Sequence, residues 1–468
     1  MPLTVLALSL LLIAVLLILD TPTAPIRQRL ALPELDHPFD IDEYATVEID
    51  ESENALRTYE TAAATLVPME PAHRHEFDQT LQDGWTVAPP AIREWLYVNR
   101  GTLLSFREGS RQQFALIVDP RTVSEKNFES FDGKSWRQFS YLVQLEGVKL
   151  ASEGRTGECL ELYFDTLRAA DHLRFRGTLL QVLLVMAMET GVCHGLFEWA
   201  ALPSVSVDEL TVCISRLKEL WRKDFSASEA FKCEYMYGMH TGDEYGADDW
   251  KTRFKLARTP TESELQIHDR LDRILFTWLL EHCDEPRFRR PRFLKRKNGR
   301  IALGLGESFL KRYDLPSIAV INQIANTRLG WAMLTPSNLP VESAFDAALE
   351  AYDRHRFRRG ATLVFLSLVA YKKKSGRYPQ RLEDATDPFS IELPRDPYSP
   401  TEEIVLYRFA TGEMLEGAAL VGRRKQIQTR PGQPLIYSVG KDGVDDGCQK
   451  VWDLSEQGLG DWIFVLPN

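Results

Sequence analysis

Between residues 376 and 467 the chain is punctuated too often to be helical. Gly376-Arg377-Tyr378-Pro379 opens the stretch, Leu393-Pro394-Arg395-Asp396-Pro397-Tyr398 follows, and Tyr437-Ser438-Val439-Gly440-Lys441-Asp442-Gly443-Val444-Asp445-Asp446-Gly447 comes near its end. Proline removes a backbone donor and glycine makes helix entropically costly, so apolar and aromatic pairs separated by Pro, Gly and Asp read as short strands joined by turns. Most of the preceding chain has the opposite pattern, with apolar residues at helical spacing. The predicted class is therefore mainly α, a helical hairpin array, ending in a small α+β module that contains an antiparallel sheet.

A length of 468 residues corresponds to about two to three domains. The divisions read from the sequence are a transmembrane anchor at 1–20, an acidic tether and first helix at 21–90, a helical array at 91–340, and a long helix plus C-terminal module at 341–468. Within the array an amphipathic helix is predicted over 91–108, with Ile92, Trp95, Leu96, Leu103 and Phe106 on one face. Helices over 136–152, 159–173, 178–200 and 208–223 follow, joined by short turns such as Glu153-Gly154-Arg155-Thr156-Gly157. Leu142, Leu145, Leu167, Leu180, Leu183 and Leu184 are expected in their core. Residues 178–188 are the most apolar interior stretch, too short to cross a bilayer and read as a buried central helix. Residues 226–261, with Tyr235, Tyr237, Gly238, Gly242 and Gly246, read as a large surface loop. Helices are expected over 265–282, 301–313, 315–334 and 341–374. Residues 286–300 carry eight Lys or Arg and read as an exposed inter-helix loop, although such a patch could also hold RNA or an anionic membrane surface. No strict repeat period is present, so the array is either TPR-like or an irregular bundle.

Residues 3–19 are apolar and uncharged, close to the about 17 to 25 residues that span a bilayer as a helix. No Lys or Arg precedes them and Thr21-Pro22-Thr23-Ala24-Pro25 is a poor cleavage site, which favours an uncleaved single-pass anchor over a signal peptide. Arg27 and Arg29 pull weakly toward a cytoplasmic body. Residues 31–60 then hold ten carboxylates against one arginine, a solvated tether, with a first helix over 57–66 ended by Pro68 and Pro71. The net charge of −11 argues against a dedicated nucleic-acid binder, which needs a basic face. Cys159, Cys193, Cys213, Cys233, Cys283 and Cys448 form no CxxC pair and read as buried thiols.

Two clusters carry possible chemistry. His73-Arg74-His75-Glu76 places two imidazoles and a carboxylate together, donors that zinc takes, but no second ligand cluster stands nearby. Gly304-Leu305-Gly306 lacks the third glycine of a dinucleotide fingerprint, and His194, His240, His268, His282 and His355 are scattered without a nucleophile motif. The second cluster is the terminal loop, where six carboxylates and two lysines lie between Lys441 and Asn468. Calcium takes about six to eight oxygen ligands. Asp442, Asp445 and Asp446 supply carboxylates within five residues, Gly443 and Gly447 ease the turn, and Asp453 and Asp461 are further candidates. A solvated acidic turn is the alternative.

The Gly376-Arg377-Tyr378-Pro379 entry, Leu382, Asp396-Pro397-Tyr398, Tyr407 and the run from Tyr437 to Gly443 resemble the globular part of type II secretion major pseudopilins. That resemblance implies a helix, a DP-containing turn and a small antiparallel sheet ending in a calcium-binding loop, with an Asp at the position of Asp461 before Trp462-Ile463-Phe464-Val465. A pseudopilin carries the module directly on its membrane helix, whereas here more than three hundred residues intervene, which argues against a pilus-like filament. The whole chain also resembles a group of uncharacterised bacterial envelope proteins with an N-terminal anchor, a TPR-like helical middle and this ending. Glu53-Asn54-Ala55, Trp95-Leu96 with Asn99, and the helices around 145–173 carry that likeness. It implies an extracytoplasmic body, opposing the Arg27 and Arg29 cue, and no known activity. The expected function is a membrane-anchored, non-catalytic scaffold for a protein partner, with a calcium-stabilised C-terminal module. The alternative is an envelope hydrolase with a metal site on or beside the array, using His73, His75 and Glu76.

Overall fold

Helix starts in the middle of the chain are set by side chains that satisfy otherwise orphaned amides. In the computed structural model, which describes residues 32–466 apart from 34, 47–48, 51–52, 124–132, 223–224, 245–261, 288–289, 291–293, 298–299, 326–340, 402, 417–425, 441 and 449–461, nine α-helices among the described residues lead to residue 220. They are α1 (Ile41–Ala45), α2 (Leu56–Thr65), α3 (Arg74–Asp83), α4 (Pro90–Val98), α5 (Arg100–Ser110), α6 (Gly133–Ser152), α7 (Thr156–Arg174), α8 (Leu179–Ala201) and α9 (Val207–Leu220). Before α8, Gln181 Oε1 accepts from Thr178 N at 2.7 Å; before α9, Ser206 and Glu209 cap one another reciprocally. The anchor expected at 3–19, with Arg27 and Arg29, lies outside the described residues.

The helix expected over 91–108 is two helices. Asn99 separates α4 from α5 because its buried amide turns to the chain before α4: Oδ1 accepts from Val67 N at 2.9 Å, and Nδ2 donates to Val67 O at 3.1 Å and Trp95 O at 2.9 Å. The surface loop expected over 226–261 is also corrected as far as residue 244; residues 245–261 lie outside the described residues. Helix α10 (Ser228–Glu244) runs through it and buries Phe231, Cys233, Tyr235 and Met236. Next come α11 (Glu262–His282) and an unanticipated antiparallel pair, β1 (Leu294–Lys297) inside the stretch expected as a basic loop and β2 (Arg300–Leu303) running into the one expected as helix. The helix expected from residue 301 therefore starts later, as α12 (Glu307–Arg312), followed by α13 (Ile318–Ala325). The long helix stands as α14 (Val341–Ser375).

α8 is the described helix long and apolar enough to cross a membrane. Here it packs against α6, α7, α10 and α14. Tyr163 of α7 wedges into this junction, because a Cβ on Gly147 of α6 would lie 2.5 Å, and one on Gly195 of α8 2.3 Å, from its hydroxyl. Only glycine at both positions admits the ring without overpacking. Leu142, Leu145 and Leu167 are buried as expected, but Leu180 is 56% and Leu183 37% exposed, and Leu184 is half-buried. A helix apolar all round has no sequence signal for which side faces outward.

After α15 (Glu383–Thr386) the module is built from β3 (Leu406–Phe409), β4 (Met414–Glu416), β5 (Gln426–Gln428), β6 (Pro434–Ser438) and β7 (Trp462–Val465). β6 is central in an antiparallel β3-β6-β7 sheet, with Leu406 opposite Tyr437 and Leu435 opposite Val465; β4 and β5 form a separate hairpin. The protein is thus mainly helical with a small C-terminal antiparallel sheet. Its motifs are tied to one another: the buried Asp396 carboxylate accepts from Tyr398 N, Ser438 Oγ and Val439 N, and Tyr407 Oη donates to Pro379 O at 2.8 Å. One continuous apolar core runs from Leu32 to Leu466, crossing from array to sheet where α14 places Phe365 against Phe197 and Phe357 against Trp462. All six cysteines are buried free thiols.

Candidate functional site

A groove of about 730 Å³ opens between α3, α6 and α8. The α3 wall presents His75, Phe77, Asp78, Gln82 and Asp83; α6 contributes Gln144; α8 supplies the floor through Ala187, Thr190, Gly191 and His194. Those α8 positions share one helical face with Leu180 and Leu183, since steps of three and four residues return to the same side. The exposed leucines therefore continue the groove floor as an apolar stripe toward the start of α8.

The walls are fixed from behind. Arg74 stacks on Tyr141 of α6 at 4.3 Å while pairing with Asp78 at 3.3 Å, which holds α3 against α6. Gln144 donates to Ser140 O at 3.1 Å. Thr190 donates to Met186 O at 2.7 Å and accepts from Arg358 of α14. Burial lowers the Arg358 guanidinium to about 10. One residue on, Arg359 grips Glu189 with two hydrogen bonds of 2.6 and 2.8 Å, and His355 Nε2 lies 2.9 Å from the same carboxylate. Burial alone would raise the Glu189 carboxyl, but Arg359 and His355 overcome it and hold the group well below its ordinary value. Burial also lowers His355 despite the carboxylate beside it. Cys193, beneath the floor, is pushed by burial up to about 11 and is a poor nucleophile there. The groove thus has a stiff polar backing, a floor of mostly small groups on α8 and an α3 wall that mixes imidazole, carboxylate, amide and aromatic groups.

The residues singled out from sequence are placed differently. His73 Nδ1 lies 2.9 Å from Glu76 Oε2, whereas His75 lines the groove without either of them. The His73-Arg74-His75-Glu76 run therefore does not converge on one point, and no group of three or more His, Cys, Asp or Glu side chains does so among the described residues. Asp442, Asp445 and Asp446 share the turn after β6. Asp442 Oδ1 accepts from Val444 N at 3.3 Å, and Asp445 Oδ1 accepts from Gly447 N at 2.9 Å and Tyr437 Oη at 3.3 Å. Asp453 and Asp461 lie outside the described residues. The three described carboxylates offer hard oxygens of the type calcium takes, and each of Asp442 and Asp445 uses one of its oxygens to shape the loop. Sequence reasoning missed the groove because His75, Gln144 and His194 come from three helices far apart in the chain. The one local signal, an interior helix apolar on every side, marks α8 but not its open face.

No family model matches the chain, and neither a curated protein nor a solved structure does.

Proposed function

We propose that this chain is a membrane-anchored, non-catalytic envelope protein that holds a segment of a partner protein in the groove of its helical array. The observation that carries the reading is the apolar stripe of Leu180 and Leu183, left exposed on α8 and continuous with the groove floor. Exposed leucines in line with a preformed concave site mark an interaction surface rather than a packing accident. The anchor is residues 3–19 and the body lies outside the cytoplasm; the solvated tether expected over 31–60 is corrected, since Leu32, Tyr44, Ala55 and Tyr59 are buried in the body and Arg270 donates to Leu32 O at 2.7 Å. Leu180→Asp with Leu183→Asp tests the groove: both positions face outward, so the variant keeps its helix content. Native electrophoresis of detergent extracts is expected to show a partner-bound species for the wild type and the lone chain for the variant. An unchanged species contradicts the reading.

The same reading makes the C-terminal turn a calcium site, with Asp442, Asp445 and Asp446 joined by Asp453 and Asp461. It rests on five carboxylates around glycine turns in one short stretch. A ligand that binds only the folded form raises its melting temperature with concentration. That rise is expected with calcium and is expected to vanish in Asp445→Ala with Asp446→Ala. Equal melting in calcium and in chelator contradicts it.

A further inference from the structure

Where α14 ends and the module begins, a second cavity of about 510 Å³ carries cations without a carboxylate in its lining. Lys372 and Arg377 approach from the end of α14, Arg430 from the turn before β6, and Tyr378, Phe409 and Pro431 form apolar walls. In a chain of net charge −11 such a surface is unusual. Nearby arginines are answered locally, Arg408 by Glu413 at 2.5 Å and Arg381 by Glu383 at 3.4 Å. Among the described residues, neither Arg377 nor Arg430 has a carboxylate within ion-pair distance. Lys372 lies 4.9 Å over the Tyr378 ring, and burial lowers its ammonium from the ordinary value.

The backbone decides between ligand types. A phosphate site needs free amides pointing at one spot. Here Gly376 N donates to Lys372 O at 2.7 Å, Arg430 N to Gln433 Oε1 at 2.9 Å, Gly432 N to Ala410 O at 2.9 Å and Gln433 N to Arg430 O at 3.0 Å. What these turns offer is two guanidinium forks, an ammonium and aromatic walls, spread along an open cleft. Guanidinium forks match carboxylates bidentately, and the walls suit apolar side chains beside them. We propose that this cleft binds a carboxylate-rich peptide segment with apolar side chains between its acidic residues, through Arg377, Arg430 and Lys372. It is separate from the α8 groove and shares no residue with it.

The test uses the full chain and a fluorescein-labelled peptide alternating glutamate with phenylalanine, its glutamine counterpart, inorganic phosphate as competitor, and vesicles with or without phosphatidylserine. The glutamate peptide is expected to bind about tenfold or more tighter than the glutamine one, with affinity falling as salt rises. Arg377→Gln with Arg430→Gln is expected to lose that preference at unchanged melting temperature. Arg377→Lys with Arg430→Lys, which keeps the charge but not the forks, is expected to fall between, and it carries the test should the glutamine variant misfold. Equal binding of the two peptides, wild-type affinity in both variants, displacement of the peptide by phosphate, or binding to anionic vesicles alone overturns the proposal.

Discussion

The Asp396 carboxylate holds Tyr398 N, Ser438 Oγ and Val439 N at 2.9, 2.7 and 2.8 Å, so removing it strands three donors in a buried turn. Asp396→Ala is expected to cost roughly 2 to 5 kcal/mol in urea unfolding; a loss below about 1 kcal/mol would contradict its role as the knot of the module. Burial lowers the pKa of His172, which bonds Tyr59 Oη at 2.9 Å, and of His355. A histidine with a depressed folded pKa leaves the unfolded chain binding more protons, so stability rises with pH across that window. Melting temperature is therefore expected to drop as pH falls from about 7.5 through the unfolded value of about 6.5 toward the lowered folded values. His172→Gln and His355→Gln are each expected to flatten that slope, and a pH-independent wild type would refute the assignment. At this scale the sequence was informative about structure: Asp396-Pro397-Tyr398 and Ser438-Val439 are bonded to each other. Asn54 likewise joins Leu56 N and Leu116 N, each at 3.1 Å, and Trp95 Nε1 donates to Val67 O at 2.8 Å. The turn residues themselves are legible because Pro, Gly and Asp punctuation is local, but the long-range partners they bond lie 28 to 62 residues away, and His75 and His194 line one groove through tertiary packing alone.

Elements were legible wherever period and punctuation agreed. α6, α7 and α9 have polar faces and turns at both ends, whereas α10 contains glycines that read as loop. At Gly238 a Cβ would touch nothing, so the glycine is tolerated in the helix rather than required there. Gly238→Ala is expected to stabilise the protein by about 0.5 to 1 kcal/mol through helix propensity, and thermal unfolding checks it; destabilisation would contradict the helix. In α8 the apolar pattern runs all the way round, so sequence could name the helix but not its buried side. Met188→Ala, at a buried position, is expected to cost about 2 to 5 kcal/mol, whereas Leu180→Ala, at an exposed one, should stay within about 0.5 kcal/mol. Similar losses at both would mean that Leu180 is covered within the fold.

For the whole molecule, the balance of a helical body and a terminal sheet followed from where the Pro, Gly and Asp punctuation begins. The sharing of one core did not, because Phe197 meets Phe464, and Phe357 meets Trp462 and Phe464, across long stretches of chain. Ending the chain after residue 375 is therefore expected to expose that aromatic face and broaden or lower the melting of the remaining helices; unchanged melting would show that the module adds nothing to the array. The central claim, that the open face of α8 receives a partner, is tested most directly by a photo-crosslinking side chain placed at Leu183 in the anchored chain. The comparison position is Leu104 of α5, which is 65% exposed and away from the groove lining. A single discrete adduct from position 183 and none from 104 is the predicted result. Adducts from both positions, or from neither, would contradict it.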